Sequence, residues 1–333
     1  MGTLQQAVDA EAARSGFSGV VRVDGPGGLE LESAYGWADR AHRVPNHADT
    51  MLATASLTKG FTALAVMSLI EDGVLELTTP ARALLGDDLP LVADDVTIEH
   101  LLGHTSGIGD YLAEDDLTSM TDYVMTRPVH TLDRAEGYLP ALDGLPATFA
   151  VGERFSYNNA GYVLLAILAE RAGGTTYDEL VRARVTEPAG MPRTRFLRSD
   201  ELPGAAAIGY LEVEGLRSNV LHLPVLGVGD GGLYSTAADL RAFWTALFAG
   251  RIVPPARVAQ LVEPRSDWPE EQRRYGLGFH LDETGEGVFL EGYDAGISCF
   301  SRHLPSTGTT HTVISNWTDG AWPLVKVLDQ QPS

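Results

Sequence analysis

The sequence predicts a mixed α/β (α+β) fold, in which an antiparallel sheet drawn from both chain ends is flanked by helices and an all-helical lobe is inserted between its halves. Two observations carry this expectation. Apolar runs of strand length occur near the N-terminus and again over residues 275–316, whereas residues 80–200 carry helical spacing and helix caps. Strands at both ends are most economically joined into one sheet, with the helical block set aside as a second lobe. The expected division is 1–78 and 205–333 for the α/β part and 79–204 for the lobe, with a cleft between them as the natural binding site.

Each element has its own reason. Leu4 to Ala13 shows the polar amphipathic pattern of a surface helix. Gly19 to Val23 and Leu29 to Tyr35 flank Asp24-Gly25-Pro26-Gly27-Gly28, so two strands joined by turn chemistry form a hairpin. From Ser56, apolar residues recur at helical spacing through Phe61, Leu64, Ala65, Met67 and Leu69, and Gly73 stands where that helix stops. In the middle block, Thr97 caps a helix through Leu102, a long helix runs from Asn159 to Ala172, and another spans Tyr177 to Arg184. Ser235-Thr236 opens a helix ending at Gly250, and Val253-Pro254-Pro255 reads as a joint. Strands are expected at Tyr275–Leu281, Val288–Glu291, Ile297–His303 and Thr309–Asn316, with a closing helix from Ala321 to Leu328.

Composition narrows the function classes. The 333 residues carry 45 acidic and 24 basic side chains, a formal charge of −21 with no basic cluster. Nucleic acid and anionic membrane both need a cationic surface, so neither is expected as a partner. The single cysteine, Cys299, lies among apolar strand residues and reads as packing. The most apolar stretch, Phe61 to Ile70, is too short to cross a bilayer. Met1 to Gly16 lacks the basic start and apolar core of a signal peptide, so the expected location is the cytoplasm.

The cationic charge is distributed unevenly. Only two lysines, Lys59 and Lys326, stand among the 24 basic residues, and Lys59 follows Ser56 by three positions in Ala55-Ser56-Leu57-Thr58-Lys59-Gly60. Guanidinium stays protonated, whereas a desolvated amine can lose its proton and act as a base. On a helix, positions three apart share a face, so the hydroxyl and the amine can meet. A serine in the first helical turn also has an unpaired backbone N–H for a developing oxyanion. Downstream, Tyr157-Asn158-Asn159 immediately precedes a long apolar helix and could aim a phenol and an amide at one point. Read by itself that segment is more simply a helix cap with a packed tyrosine beneath it.

Ser56-Leu57-Thr58-Lys59 followed about a hundred residues later by Tyr157-Asn158-Asn159 resembles the serine β-lactamase-like family. That family includes penicillin-binding proteins, class C β-lactamases, D-aminopeptidases and β-lactamase-fold carboxylesterases. Three other stretches resemble the same family in the same order: Leu101–Ile108, Val151–Tyr157 and Gly231–Leu240. The resemblance implies that Ser56 attacks a carbonyl to form an acyl-enzyme, with Lys59 and Tyr157 sharing the work of base and acid. It implies that Asn159 orients Lys59 or holds a substrate amide, and that no cofactor or metal takes part.

The family's third element, a Lys-Thr-Gly or His-x-Gly on a strand beside the nucleophile, has as its ungapped counterpart Gly292-Tyr293-Asp294-Ala295-Gly296-Ile297. In that register Tyr293 replaces the cation, and the Gly296 N–H completes the oxyanion hole with that of Ser56. A phenol offers no positive charge to a carboxylate, which favours neutral esters and amides. The expected activity is a serine hydrolase of small esters, amides or peptides, most like a carboxylesterase. A D-amino-acid peptidase or weak β-lactamase, and a catalytically quiet binding homologue, are the alternatives. Gly227-Val228-Gly229-Asp230-Gly231-Gly232 matches Gly-x-Gly-x-x-Gly but lacks the strand-turn-helix context of a dinucleotide site. His104, four residues after His100, lacks the zinc-protease signature and reads as a loop hydrogen-bonder.

Overall fold

The computed structural model describes residues 3–112 and 117–330. The strands are β1 (Gly19–Gly25), β2 (Gly28–Tyr35), β3 (Trp37–Asp39), β4 (Val44–Pro45), β5 (Leu52–Ala53), β6 (Arg195–Phe196), β7 (Leu233–Ser235), β8 (Ser266–Trp268), β9 (Arg273–Tyr275), β10 (His280–Asp282), β11 (Val288–Asp294), β12 (Ile297–Leu304) and β13 (Thr309–Ser315). The helices are α1 (Leu4–Ser15), α2 (Thr58–Glu71), α3 (Arg82–Leu85), α4 (Ile98–Leu102), α5 (Leu139–Leu142), α6 (Asn159–Gly173), α7 (Tyr177–Val181), α8 (Glu187–Ala189), α9 (Ala237–Phe248), α10 (Pro255–Leu261) and α11 (Ala321–Asp329).

Both chain ends build one eight-stranded antiparallel sheet in the order β2-β1-β13-β12-β11-β10-β9-β8. The junction between the ends is the β1–β13 ladder, where Val20 faces Ile314 and Val21 faces Val313. Side chains alternate across a strand, and the two cores follow that alternation. Val21, Val23 and Val313 pack beneath α1 and α11, while Val20 and Ile314 enter the larger core that contains α2, α6 and α9. The sheet is therefore the middle layer, and α2 lies between it and the helical region, buried on all sides from Thr58 to Ile70.

Local signals account for most boundaries. Thr3 and Gln6 form a capping box at α1, Thr97 caps α4, and Gly174 in left-handed conformation closes α6. Four expectations are corrected. The single strand expected over Tyr275–Leu281 is two strands, because the chain reverses at Gly276–Phe279, where Gly278 has φ +90°. Val253-Pro254-Pro255 is the start of α10, where a proline in the first turn gives up an N–H that has no intrahelical partner. The helix expected to reach Arg184 passes after Val181 into a π-helical turn, Arg182–Thr186. The middle block is not all-helical, since β6 joins β5 and β7 in a small second sheet. Among the described residues no helix is long and apolar enough to cross a membrane.

Candidate active site

Ser56 sits in a 3-10 turn, Ala55–Leu57, that leads directly into α2, rather than in the first turn of the α-helix itself. The turn is set by a strained residue: Ala55 has φ +45°, a left-handed conformation that costs a non-glycine residue about 1–2 kcal/mol. The neighbours hold it there. Thr54 N and Oγ1 both donate to Leu233 O of β7, and Thr58 Oγ1 donates to Ala55 O at 2.7 Å while accepting Leu233 N at 3.2 Å.

One turn later the Lys59 amine meets three acceptors: Ser56 Oγ at 2.9 Å, Asn159 Oδ1 at 2.8 Å and the Asp230 carbonyl at 3.0 Å. The two carbonyl oxygens can only accept, so each takes an N–H, and the remaining position on the nitrogen faces the Ser56 hydroxyl, which can donate or accept. The side chain is 2% exposed, and its nitrogen lies 4.8 Å from the Tyr157 ring centroid. Sequence spacing anticipated the first contact and the Tyr157-Asn159 segment supplied the second. It missed Asp230. The signal was the glycine run around it: a Cβ on Gly229 would lie 2.0 Å from Tyr162 O, and one on Gly227 2.2 Å from Gly231 O. Those glycines let the loop pack onto α6 and deliver a carbonyl to Lys59. The Asp230 carboxyl accepts from Tyr111, and burial pushes its pKa up.

Asn158 caps α6 through Gly161 N, and Asn159 opens the helix. The Asn159 amide is oriented by Leu112 O, which accepts its Nδ2 at 3.0 Å, leaving Oδ1 toward Lys59. Tyr157 is half-buried between rings, 4.5 Å from His104 and stacked on Trp268 at 5.7 Å. The backbone here is held by a foreign loop. Asp110 accepts Asn159 N at 2.8 Å and Ala160 N at 3.0 Å, and His104 accepts at both its carbonyl oxygen and its ring.

The segment expected to supply the third element, Gly292–Ile297, pairs its Tyr293 phenol and Gly296 N–H away from the nucleophile. β11 and β12 turn on Ala295-Gly296, and the Gly296 N–H donates to Thr318 Oγ1 at 2.9 Å, so it is not an oxyanion donor. Tyr293 does not present its phenol to the cleft either. Its hydroxyl donates to Asp319 at 2.8 Å and its ring packs edge-on against Trp322. The strand instead approaches the nucleophile at Gly292, where a Cβ would lie 1.9 Å from Thr54 O and 3.0 Å from Ser56 N. Two residues earlier, Leu290 is buried against α2 at Gly60.

The pairing fixes one further group. Asp294 and Ile297 flank a two-residue turn, so they form the hydrogen-bonded pair, and Tyr293–Ser298 is the pair that is not hydrogen-bonded. The Tyr293 N–H therefore points to the edge away from β12, beyond Phe289, where pairing with β10 has ended. The cleft at Ser56 is walled by Tyr123, Met125, Leu197, Leu223 and Ile297, with Asn159, Asp230 and Asp294 among its polar groups. Among the described residues its wall contains no arginine and no lysine.

The β-lactamase family model matches residues 4–329. Penicillin-binding protein 4* of Bacillus subtilis is 29% identical over 318 residues, covering 90% of this chain and 68% of that protein. Esterase EstB of Burkholderia gladioli is 36% identical over 193 residues, covering 55% of this chain and 47% of that esterase, so the chain spans about half to two thirds of these relatives' lengths. The crystal structure of a penicillin-binding protein from Bacillus halodurans superposes with a TM-score of 0.90 at 32% identity, covering 97% and 99% of the two chains. The antiparallel sheet with its flanking helices is thus the β-lactamase/transpeptidase fold, and the chain belongs to the β-lactamase family of serine hydrolases.

Proposed function

We propose that this chain hydrolyses small esters or amides through an acyl-Ser56 intermediate, in the manner of a carboxylesterase. The observation that carries the reading is the buried Lys59 amine 2.9 Å from Ser56 Oγ. A binding module has no use for an amine held against a serine in a water-excluded site. Ser56 Oγ attacks the substrate carbonyl as its proton passes to Lys59 or Tyr157, which share base and acid duties. The N–H groups of Ser56 and Tyr293 receive the oxyanion, Tyr293 taking the place expected of Gly296. The leaving alcohol or amine departs with a proton from the same pair, and water then attacks the acyl-enzyme to release the acid. Asn159 holds Lys59 in register.

The cleft wall bears on the acyl group. Asp230 and Asp294 border it and its wall contains no arginine among the described residues, so a carboxylate-bearing β-lactam or peptide C-terminus is disfavoured electrostatically. Neutral acyl donors suit the apolar wall. The same carboxylates support a second reading, a peptidase for amides carrying a free amine. Mass spectrometry after fluorophosphonate treatment tests the acylation chemistry, and p-nitrophenyl butyrate, an amino-acid p-nitroanilide and a chromogenic cephalosporin separate the substrate classes. Wild type is expected to gain one phosphonyl group and to turn over the butyrate, with Ser56→Ala doing neither. A wild-type protein that neither labels nor hydrolyses any of the three would be a binding homologue.

A further inference from the structure

We propose that His104, outside the reacting set, is the positioning residue that fixes Tyr157, as a neutral imidazole whose Nδ1 is a permanent acceptor; this rests on the acyl-Ser56 reading. The residues on either side of Tyr157 both donate their backbone N–H to His104: Ser156 N to the carbonyl oxygen at 2.9 Å and Asn158 N to Nδ1 at 3.0 Å. The imidazole ring itself lies 4.5 Å from the Tyr157 ring. One residue therefore grips the tyrosine's backbone before and after it and braces its side chain.

The hydrogen-bond directions assign the tautomer. A backbone amide can only donate, so Nδ1 accepts from Asn158 and the ring proton resides on Nε2. Nε2–H then donates to Tyr275 Oη at 3.2 Å, Tyr275 lies 3.4 Å from Tyr162 Oη, and Tyr162 donates to Leu102 O at 2.8 Å. Every donor in this chain faces an acceptor, and the last proton ends on a carbonyl of α4, immediately before the His104 loop. Protonating Nδ1 would set two donors against each other and break the grip on Asn158. Burial, with the Lys59 charge nearby, holds the His104 pKa well below its ordinary range.

The backbone gives an independent sign of the role. His104 has φ +56°, a left-handed conformation that glycine or asparagine adopts more readily, yet it is 1% exposed. The strain buries the ring beneath Tyr157 while keeping its carbonyl aimed at Ser156. His104 is buried beneath the Tyr157 ring, so it affects turnover through the tyrosine and not through substrate binding.

The test compares His104→Leu with His104→Asn, counting active sites by fluorophosphonate titration. Asparagine keeps an acceptor near the place of Nδ1 and tolerates the left-handed backbone, whereas leucine keeps bulk alone. A misplacement near 1 Å at the chemistry costs about 100-fold, so His104→Leu is expected to lose about that in kcat per titrated site, with KM within about threefold. His104→Asn should retain kcat to within about tenfold of wild type. Imidazole nitrogen-15 shifts of the wild-type protein should show Nδ1 bare and Nε2 protonated, a readout that stands even if the leucine variant does not fold. A protonated Nδ1, a leucine variant within twofold of wild-type kcat, or an asparagine variant as slow as leucine would overturn the assignment. Failure of wild-type Ser56 to label would instead sink the hydrolase reading and leave the tautomer result standing.

Discussion

The Ser56–Lys59 turn and the Tyr157–Asn159 segment meet at one amine but are built in opposite ways. In the first, hydroxyl and amine lie three residues apart at the start of one helix, and local geometry brings them to 2.9 Å. In the second, no helical turn sets the geometry: backbone N–H groups of residues 156, 158, 159 and 160 are taken up by His104 and Asp110, about fifty residues away in sequence. The helical turn fixes spacing with two residues. The tyrosine segment needs a separate loop as its template, so its precision depends on side chains that never touch substrate.

If the local pair is the chemical centre, changing its amine should have the largest effect. Lys59→Arg keeps the charge but cannot release a proton, so kcat for p-nitrophenyl butyrate should fall about 10³-fold, within the range for lost acid–base catalysis. An arginine variant within tenfold of wild type would leave Tyr157 as sole base and reverse the ranking of the two regions. Next comes Gly292→Ala, where the new methyl meets Thr54 O at 1.9 Å. The displaced strand and nucleophile should cost about 100-fold in kcat, whereas Gly296→Ala should mainly lower the melting temperature, because its N–H serves Thr318.

The template loop is tested through Asp110. Burial raises its carboxyl to about 6, against the N–H groups of Asn159, Leu112 and Ala160 and the Lys59 charge, which pull it down. Because the folded value lies above the ordinary 3.8, this group favours the folded state at low pH, and that contribution is lost as pH rises through about 6. An acid fall in kcat near pH 6 would therefore come from loosening of the α6 N-terminus and not from acid unfolding through Asp110. Asp110→Asn should abolish that limb and lower the plateau about tenfold, seen by pH–rate profiles run beside thermal melts. An unchanged limb would overturn the assignment to Asp110. The smallest effect is expected at Ala55→Gly, where relief of the left-handed strain and the added freedom of the unfolded chain offset each other to within about 1 kcal/mol. Chemical denaturation reads that difference.

Much of the fold was legible because its signals are local. The β1–β2 hairpin, α2, α6, α9, α11 and the strands from β11 to β13 follow from turn residues, caps and periodicity, and their expected bounds differ from those observed by a few residues. The break between β9 and β10 and the small β5-β7-β6 sheet were not, since short strands are made by their partners rather than by propensity. The same division runs through the site. Ser56, Lys59, Tyr157 and Asn159 converge where the motifs placed them. The Tyr293 phenol and the Gly296 N–H do not, since the first is taken up by Asp319 and the second by Thr318, and the strand meets the nucleophile at Gly292.

What the sequence by itself determined is therefore the family, the sheet built from both ends and the pairing of a serine with a scarce lysine, since each is written in residue spacing within one element or in ordered motifs. Only the tertiary structure decided that Asp230 offers its carbonyl to Lys59, that His104 and Asp110 hold the tyrosine segment, and that Gly292 rather than Gly296 meets the nucleophile. Those are contacts between segments fifty to more than two hundred residues apart. Backbone groups carry most of them, and every residue has the same backbone, so side-chain identity could not reveal which amide or carbonyl would be used.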